Sequence, residues 1–366
     1  MVFPGMYFHS KKMNSHFVRD ATEVLEDLGS KQHNFSGATI LLTGAAGFLG
    51  AAFTHYFLLL NDRLLHESPC KVIALDSFIR GYPKWLRNLD TRADLCILER
   101  DITMAEDLPK TDYVVHAASI ASPIYYRQHP IETMDANVKG LRRLLDRAIT
   151  EPIKSFLFFS SSEIYGDPDP ENIPTSEDYR GYVSCTGPRA CYDESKRYGE
   201  TLCVNFWKQH GVPVKIARPF NNYGPGLSLN DGRVLSDFFR EILAGRNIVL
   251  YSDGKATRTF CYVADALKGY LRLLLSDENG EAFNIGNPQP EISIIDLARL
   301  TIEVAGAKTG IRLEISEDAD YLTDCPQRRS PCIDKARQRL GYSPAISLEE
   351  GLVRCLAYYK DHRNER

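Results

Sequence analysis

From Ala38 onward the chain alternates between two hydrophobic periodicities. Apolar runs at Thr39 to Thr43, Lys71 to Asp76, Leu95 to Leu98, Tyr113 to Ala117, Ser155 to Ser160 and Val214 to Arg218 read as strands. Stretches such as Phe48 to Leu60, Val138 to Thr150 and Tyr192 to His210 carry the helical repeat between them. Repeating β and α units predict an α/β fold in the doubly wound class, a parallel (Rossmann) sheet with helices on both faces.

The regularity fades after Pro219. Loops rich in Asn, Gly and Pro (NNYGPGLSLNDGR, NIGNPQP, DCPQRRSPC) separate shorter helices there, and this half reads as a smaller, mixed α/β substrate-binding domain. Its expected extent is residues 220–257 and 276–366, with 258–275 returned to the nucleotide-binding domain at 37–219. Residues 1–36 form an extension in which Val18, Ala21, Leu25 and Leu28 recur at helical spacing and Gly29 closes the pattern. One amphipathic helix follows, either for packing or for docking a partner.

Composition narrows the class. In 366 residues, 44 Lys and Arg stand against 48 Asp and Glu, a net charge of -4, which gives no global attraction for nucleic acid or an anionic membrane. Nine scattered cysteines form no C-x-x-C pair and resemble neither a zinc ribbon nor a disulfide framework, so a reducing, cytoplasmic setting and no metal are expected. No apolar run approaches the roughly 18 residues of a membrane span, and the start, MVFPGMYFHSKKMNSHF, lacks the features of a signal peptide.

The junction of the first strand and helix carries Gly44, Gly47 and Gly50 in the spacing G-x-x-G-x-x-G. Gly44 allows a tight turn, Gly47 lets a pyrophosphate approach backbone, and Gly50 lets helix and strand pack closely, while the helix start offers unpaired N–H groups. Asp76 ends the next strand, where a carboxylate accepts from a ribose diol and repels a 2'-phosphate, favouring NAD over NADP.

Farther on, Tyr192 and Lys196 stand four apart in CYDESKRYGETLC and share one helix face. A phenol titrates near pH 10, so a neighbouring ammonium and an oxidised nicotinamide are expected to favour phenolate and make Tyr192 a base. Ser161, in SSSEIYGDP at the end of a strand, is placed to bridge a substrate hydroxyl to Tyr192.

Together Gly44 to Gly50, Asp76, Ser161, Tyr192 and Lys196 resemble the extended short-chain dehydrogenase/reductase family, over about residue 37 to the end of the chain. More narrowly, HAASIASP, SSSEIYGDP, GPRACYDESKR, ARPFNNYGP, NDGRV, TRTFCYV, NIGNP and PQRRSP are similar to segments of UDP-glucuronate decarboxylases. The resemblance implies bound NAD, a UDP-sugar substrate and transient oxidation of the sugar at C4. It further implies that Phe48, Leu49, Asp101, Ile102, Ala117, Ala118, Ser119 and Asn137 flank the cofactor. Tyr125, Asn221, Arg233, Tyr251, Arg258 and Asn284 fall on the substrate side, and a homodimer through the two long helices is expected.

Residues near Glu163 choose among reactions. The family's dehydratases carry Asp before this Glu, to protonate a departing hydroxyl, whereas this chain has Ser162, and simple C4 epimerases generally lack the Glu. Glu163 with Ser162 and Arg258 resembles the set that manages decarboxylation, with Arg258 meeting a diphosphate or carboxylate through its planar fork. Three positions depart from the decarboxylase pattern: Gly226 replaces an arginine, Ile120 a proline and Ser195 a glycine. The alternatives are a 4-epimerase, a ring-contracting synthase or a 4,6-dehydratase, and, in another class, a silent nucleotide sensor.

Overall fold

A computed structural model describes residues 13–314, 323 and 325–362 of the chain. Its centre is a parallel sheet of β1 (Thr39–Thr43), β2 (Lys71–Asp76), β3 (Leu95–Glu99), β4 (Tyr113–His116), β5 (Ser155–Phe159), β6 (Val214–Pro219) and β7 (Ala282–Ile285). They lie in the order β7-β6-β5-β4-β1-β2-β3. The chain winds outward in both directions from β1 and β4, so their C-terminal ends flank the point where strand order reverses. Ligands bind there in such sheets.

The seventh strand departs from the expected division of the chain. β7 falls inside the stretch assigned to the substrate side, 276–366, yet it pairs in parallel register with β6, Ala282 opposite Ile216 and Asn284 opposite Arg218. A four-residue run, AFNI, after a Gly-bearing turn is too short for periodicity to declare; the open edge of β6 decides it.

Helix α1 (Ser15–Leu28) is the helix expected of the extension, begun by Asn14, whose side chain accepts from the His16 amide at 2.9 Å, and ended at Gly29. The first twelve residues of that extension lie outside the described residues. The next helix, α2 (Phe48–Arg63), is apolar around most of its circumference, and every residue from Gly50 to Asn61 is buried. Such a helix needs cover on both sides. The sheet supplies one side and α1 the other, so α1 packs against the body of the fold. Phe17 of α1 stacks on His55 of α2 at 4.2 Å and reaches Gly226, where an added Cβ would sit 3.0 Å from the ring. Asp20 of α1, buried, accepts from the Tyr262 hydroxyl at 2.8 Å.

A helix expected over Val138 to Thr150 begins with a π-type turn, Ala136–Gly140, before the regular α3 (Leu141–Thr150). The wider turn seats Asn137 inward against α4 (Ala190–His210). Beyond β6, the two-residue strands Thr257–Arg258, Ile292–Ser293 and Arg328–Arg329 form a small sheet that sets Arg329 opposite Arg258.

Candidate active site

At the strand-order reversal lies a cleft of about 1600 Å³. The first β-α units line it with Gly44, Gly47, Phe48, Leu49, Gly50, Asp76, Asp101, Ile102, Ala117, Ala118 and Ser119. Ser161, Ser162 and Glu163 enter from the end of β5, Tyr192 and Lys196 from α4, Tyr125 from the short helix Pro123–Gln128, Arg258 from the small sheet, and Asn221, Arg233 and Tyr251 from the surrounding loops.

The glycine turn has the shape of a dinucleotide cradle. Gly44 has φ +70°, and a Cβ there would meet Ala117 O and Ala118 N at 2.7 Å; one on Gly50 would stand 2.4 Å from Gly44 O. Gly47 begins α2 without a side-chain cap, which leaves the first amides of the helix to an anion. Asp76 is held for a ribose: Oδ2 accepts from Ala46 N and Oδ1 from Phe78 N, both at 2.9 Å. Burial raises its pKa and those amides oppose the rise. The Ser119 hydroxyl is buried without a hydrogen-bond partner among the described residues. These residues fit NAD.

One turn of α4 aligns Tyr192 and Lys196. Tyr192 is buried, stacked on Tyr126 at 5.3 Å, and hydrogen-bonded to Ser161. The Lys196 ammonium donates to Phe159 O at 2.8 Å and lies 5.7 Å from the Tyr192 ring centre. Their charges differ from the expectation. Burial pushes the phenol up to about 12 despite the Ser161 hydrogen bond, and burial pulls Lys196 down to about 7. Burial outweighs the Ser161 hydrogen bond, so the protein alone keeps the phenol neutral, while Lys196 is divided between its charged and neutral forms near pH 7.

Glu163 is treated in the opposite way. It sits on the short turn Ser162–Tyr165, whose start is capped by Ser161 Oγ accepting from Glu163 N at 3.2 Å. Arg189, immediately before α4, donates to its carboxylate, and Arg329 grips both oxygens at 2.5 and 2.6 Å. Burial would raise its pKa, yet Arg189, Arg329 and Arg258 together hold it down at about 2. Glu163 is therefore a carboxylate throughout the physiological range.

Arg258 lines the cleft, but its fork is turned to backbone: it donates to Thr257 O at 2.7 Å, Pro326 O at 2.5 Å and Gln327 O at 3.2 Å. Burial and the facing Arg329 pull its pKa down to about 10. The grip on the Glu163 carboxylate comes from Arg189 and Arg329, both of which stood unremarked inside the quoted segments GPRACYDESKR and PQRRSP. Only the small sheet, which pairs residue 329 with residue 258, reveals that convergence.

Two other expected residues stand outside the cleft lining. Asn284, wholly buried on β7, donates to Thr175 O and Cys332 O at 3.0 Å and accepts from the Tyr165 hydroxyl at 2.7 Å, so its amide is committed to the protein. Asn137 donates to Ser195 Oγ at 2.8 Å, and that hydroxyl donates to Tyr192 O at 2.9 Å. Asn137 thus supports the back of the Tyr192 turn. Asn221 lines the cleft with φ +41° and its amide bonded to Thr259 O at 2.8 Å. Tyr251 is exposed at the rim, while Arg233 Nε stands 2.8 Å from Asp231 Oδ2.

The sequence model of the NAD dependent epimerase/dehydratase family matches residues 40–286. UDP-glucuronic acid decarboxylase 1 of Xenopus tropicalis is 38% identical over 321 residues, covering 88% of this chain and 72% of that protein. UDP-glucuronic acid decarboxylase 6 of Arabidopsis thaliana is 37% identical, covering 87% of each. Among solved structures, the UDP-glucuronic acid 4-epimerase of Bacillus cereus in complex with UDP-glucuronic acid and NAD superposes with a TM-score of 0.75 at 26% identity, covering 88% of this chain and 99% of that one.

Proposed function

The chain belongs to the NAD dependent epimerase/dehydratase family, and from that premise we propose that it converts UDP-glucuronate to UDP-xylose by transient C4 oxidation and decarboxylation. One observation carries the choice of reaction: Glu163, ionised and gripped by Arg189 and Arg329, shares a cleft wall with Arg258 and the Tyr192 hydroxyl. Three guanidiniums against one carboxylate leave excess positive charge where a sugar acid has its own carboxylate. The decarboxylase relatives point the same way.

Bound NAD supplies a hydride acceptor and later returns the hydride. Tyr192, linked to Ser161, works as the phenolate, a form that the nearby Lys196 ammonium and an oxidised nicotinamide would favour, and it takes the proton of the C4 hydroxyl to become the neutral phenol. The C4 ketone makes the C6 carboxylate a β-keto acid. The C5–C6 bond then breaks, its electron pair moves toward the C4 oxygen, and carbon dioxide leaves. Glu163, held near a pKa of 2, is a poor proton donor, so it orients a water beside Ser162 that protonates C5, and the hydroxide left behind is neutralised by a proton from solvent. Because Glu163 already neutralises part of Arg189 and Arg329, those arginines bind the substrate carboxylate without overholding a charge that must vanish in the transition state.

We assign the working form as a cytoplasmic homodimer. The outer face of α4 exposes Tyr198 and Trp207, that of α3 exposes Ile149, and all nine cysteines are free. Among the described residues no helix is long and apolar enough to cross a membrane.

The test is incubation with UDP-glucuronate and NAD, followed by mass spectrometry and NMR of the product sugar. Loss of carbon dioxide with xylose stereochemistry is expected. Unchanged mass with inverted C4 would make the protein an epimerase.

A further inference from the structure

An arginine arm reaches across the cleft from the loop after β2 to Asp231. Arg80 lies four residues beyond Asp76, on the loop that follows β2. An arginine in that region is where a cofactor 2'-phosphate is met in other dinucleotide folds. Here its guanidinium lies 4.8 Å over the Tyr125 ring, its Nη1 donates to Asp231 Oδ1 at 3.1 Å, and its charge also helps to oppose the rise in the Asp76 pKa.

Asp231 is buried, and its two oxygens face two arginines. Oδ1 holds Arg80 by a hydrogen bond, whereas Oδ2 is approached by Arg233 Nε at 2.8 Å as an ion pair whose N–H is not aimed to complete a hydrogen bond. Ser122 anchors the loop from behind, donating to Asp231 O at 2.6 Å. One carboxylate thus joins the loop that follows the ribose aspartate to the arginine on the substrate side.

We propose that Arg80 is a positioning residue that couples cofactor retention to occupancy of the diphosphate site through the shared carboxylate of Asp231. It rests on the nucleotide-sugar reading, because Arg233 must have a diphosphate to turn to. When a diphosphate takes the poorly aimed Arg233, Asp231 is left to Arg80 alone. The loop after β2 is then drawn more firmly toward Tyr125, over the cofactor. Coupling of this kind is reciprocal: whatever factor the nucleotide adds to cofactor affinity, the cofactor adds to nucleotide affinity.

The experiment measures exchange of NAD from the holoprotein into excess NADH, by fluorescence, with and without saturating UDP. Wild type should release NAD at least about fivefold more slowly with UDP present. Arg80→Ala should lose most of that slowing, and Arg80→Lys, which keeps the charge but not the planar fork, should restore part of it. A UDP effect of equal size in Arg80→Ala and wild type would overturn the coupling while leaving the nucleotide-sugar reading intact. Failure of UDP to bind the wild-type holoprotein by calorimetry would instead overturn that reading, and the coupling with it.

Discussion

Within one cleft the protein handles ionisable groups by two opposite physical strategies. At Tyr192 and Lys196 burial prevails: the phenol rises to about 12 and stays neutral, and the amine falls to about 7, where its charged and neutral forms are both populated at pH 7. At Glu163 pairing prevails: a similarly enclosed carboxylate drops to about 2 because Arg189 and Arg329 grip it. Groups that must exchange protons are kept free of strong partners, and the group that must keep its charge is surrounded by them.

Removing the phenol should break the proton-exchanging side most severely. Tyr192→Phe is expected to lower the turnover of UDP-glucuronate by about 10³-fold while leaving NAD bound, as read by single-turnover formation of keto sugar. Near-normal turnover would take Tyr192 out of the chemistry.

On the paired side, Arg329→Leu removes two charge-assisted hydrogen bonds and should cost about 3 kcal/mol of stability in urea at pH 7. Its pH dependence is the sharper reading. A carboxylate whose folded pKa lies below its ordinary 4.5 stabilises above pH 4.5, and the contribution is lost as pH falls toward about 2. The gap between wild type and variant should therefore narrow across that window. A constant gap would mean that Arg329 supports the fold without Glu163.

Lys196 has the reverse sign. Its folded pKa is lowered from 10.5 to about 7, so between those values the unfolded chain binds more protons and stability rises with pH. The lysine should contribute a rise of about 2 kcal/mol between pH 7 and pH 9. Lys196→Met should flatten that rise in denaturation curves measured across the same range. If the slope persists, another group is responsible.

The smallest effect is expected behind Tyr192. Ser195→Ala deprives the buried Asn137 amide of its partner and should cost about 1 kcal/mol, seen as a lowered melting temperature with the pH profile of activity unshifted.

This contrast also marks what sequence could reveal. The cofactor turn was legible because Gly44, Gly47, Gly50 and Asp76 belong to one β-α-β unit, where spacing alone fixes geometry. Tyr192 and Lys196 were legible because a helix repeats every 3.6 residues. Glu163 was singled out, but its partners were not, since Arg189 is 26 residues away and Arg329 is 166. Their meeting depends on a two-residue strand too short to carry a pattern. Asn284 illustrates the converse: its side chain serves a buried network under the cleft, and only the pairing of β7 with β6 puts it there.

Position 226 has a consequence for exchanging pieces between relatives. A left-handed backbone there, φ +88°, already disfavours any side chain, and the space beyond it is taken by the ring of Phe17. A grafted arginine would therefore take up a strained backbone and press the Phe17 ring of the leading helix back by a few tenths of an ångström. Exchanging this residue together with that helix would let both sides of the contact change at once.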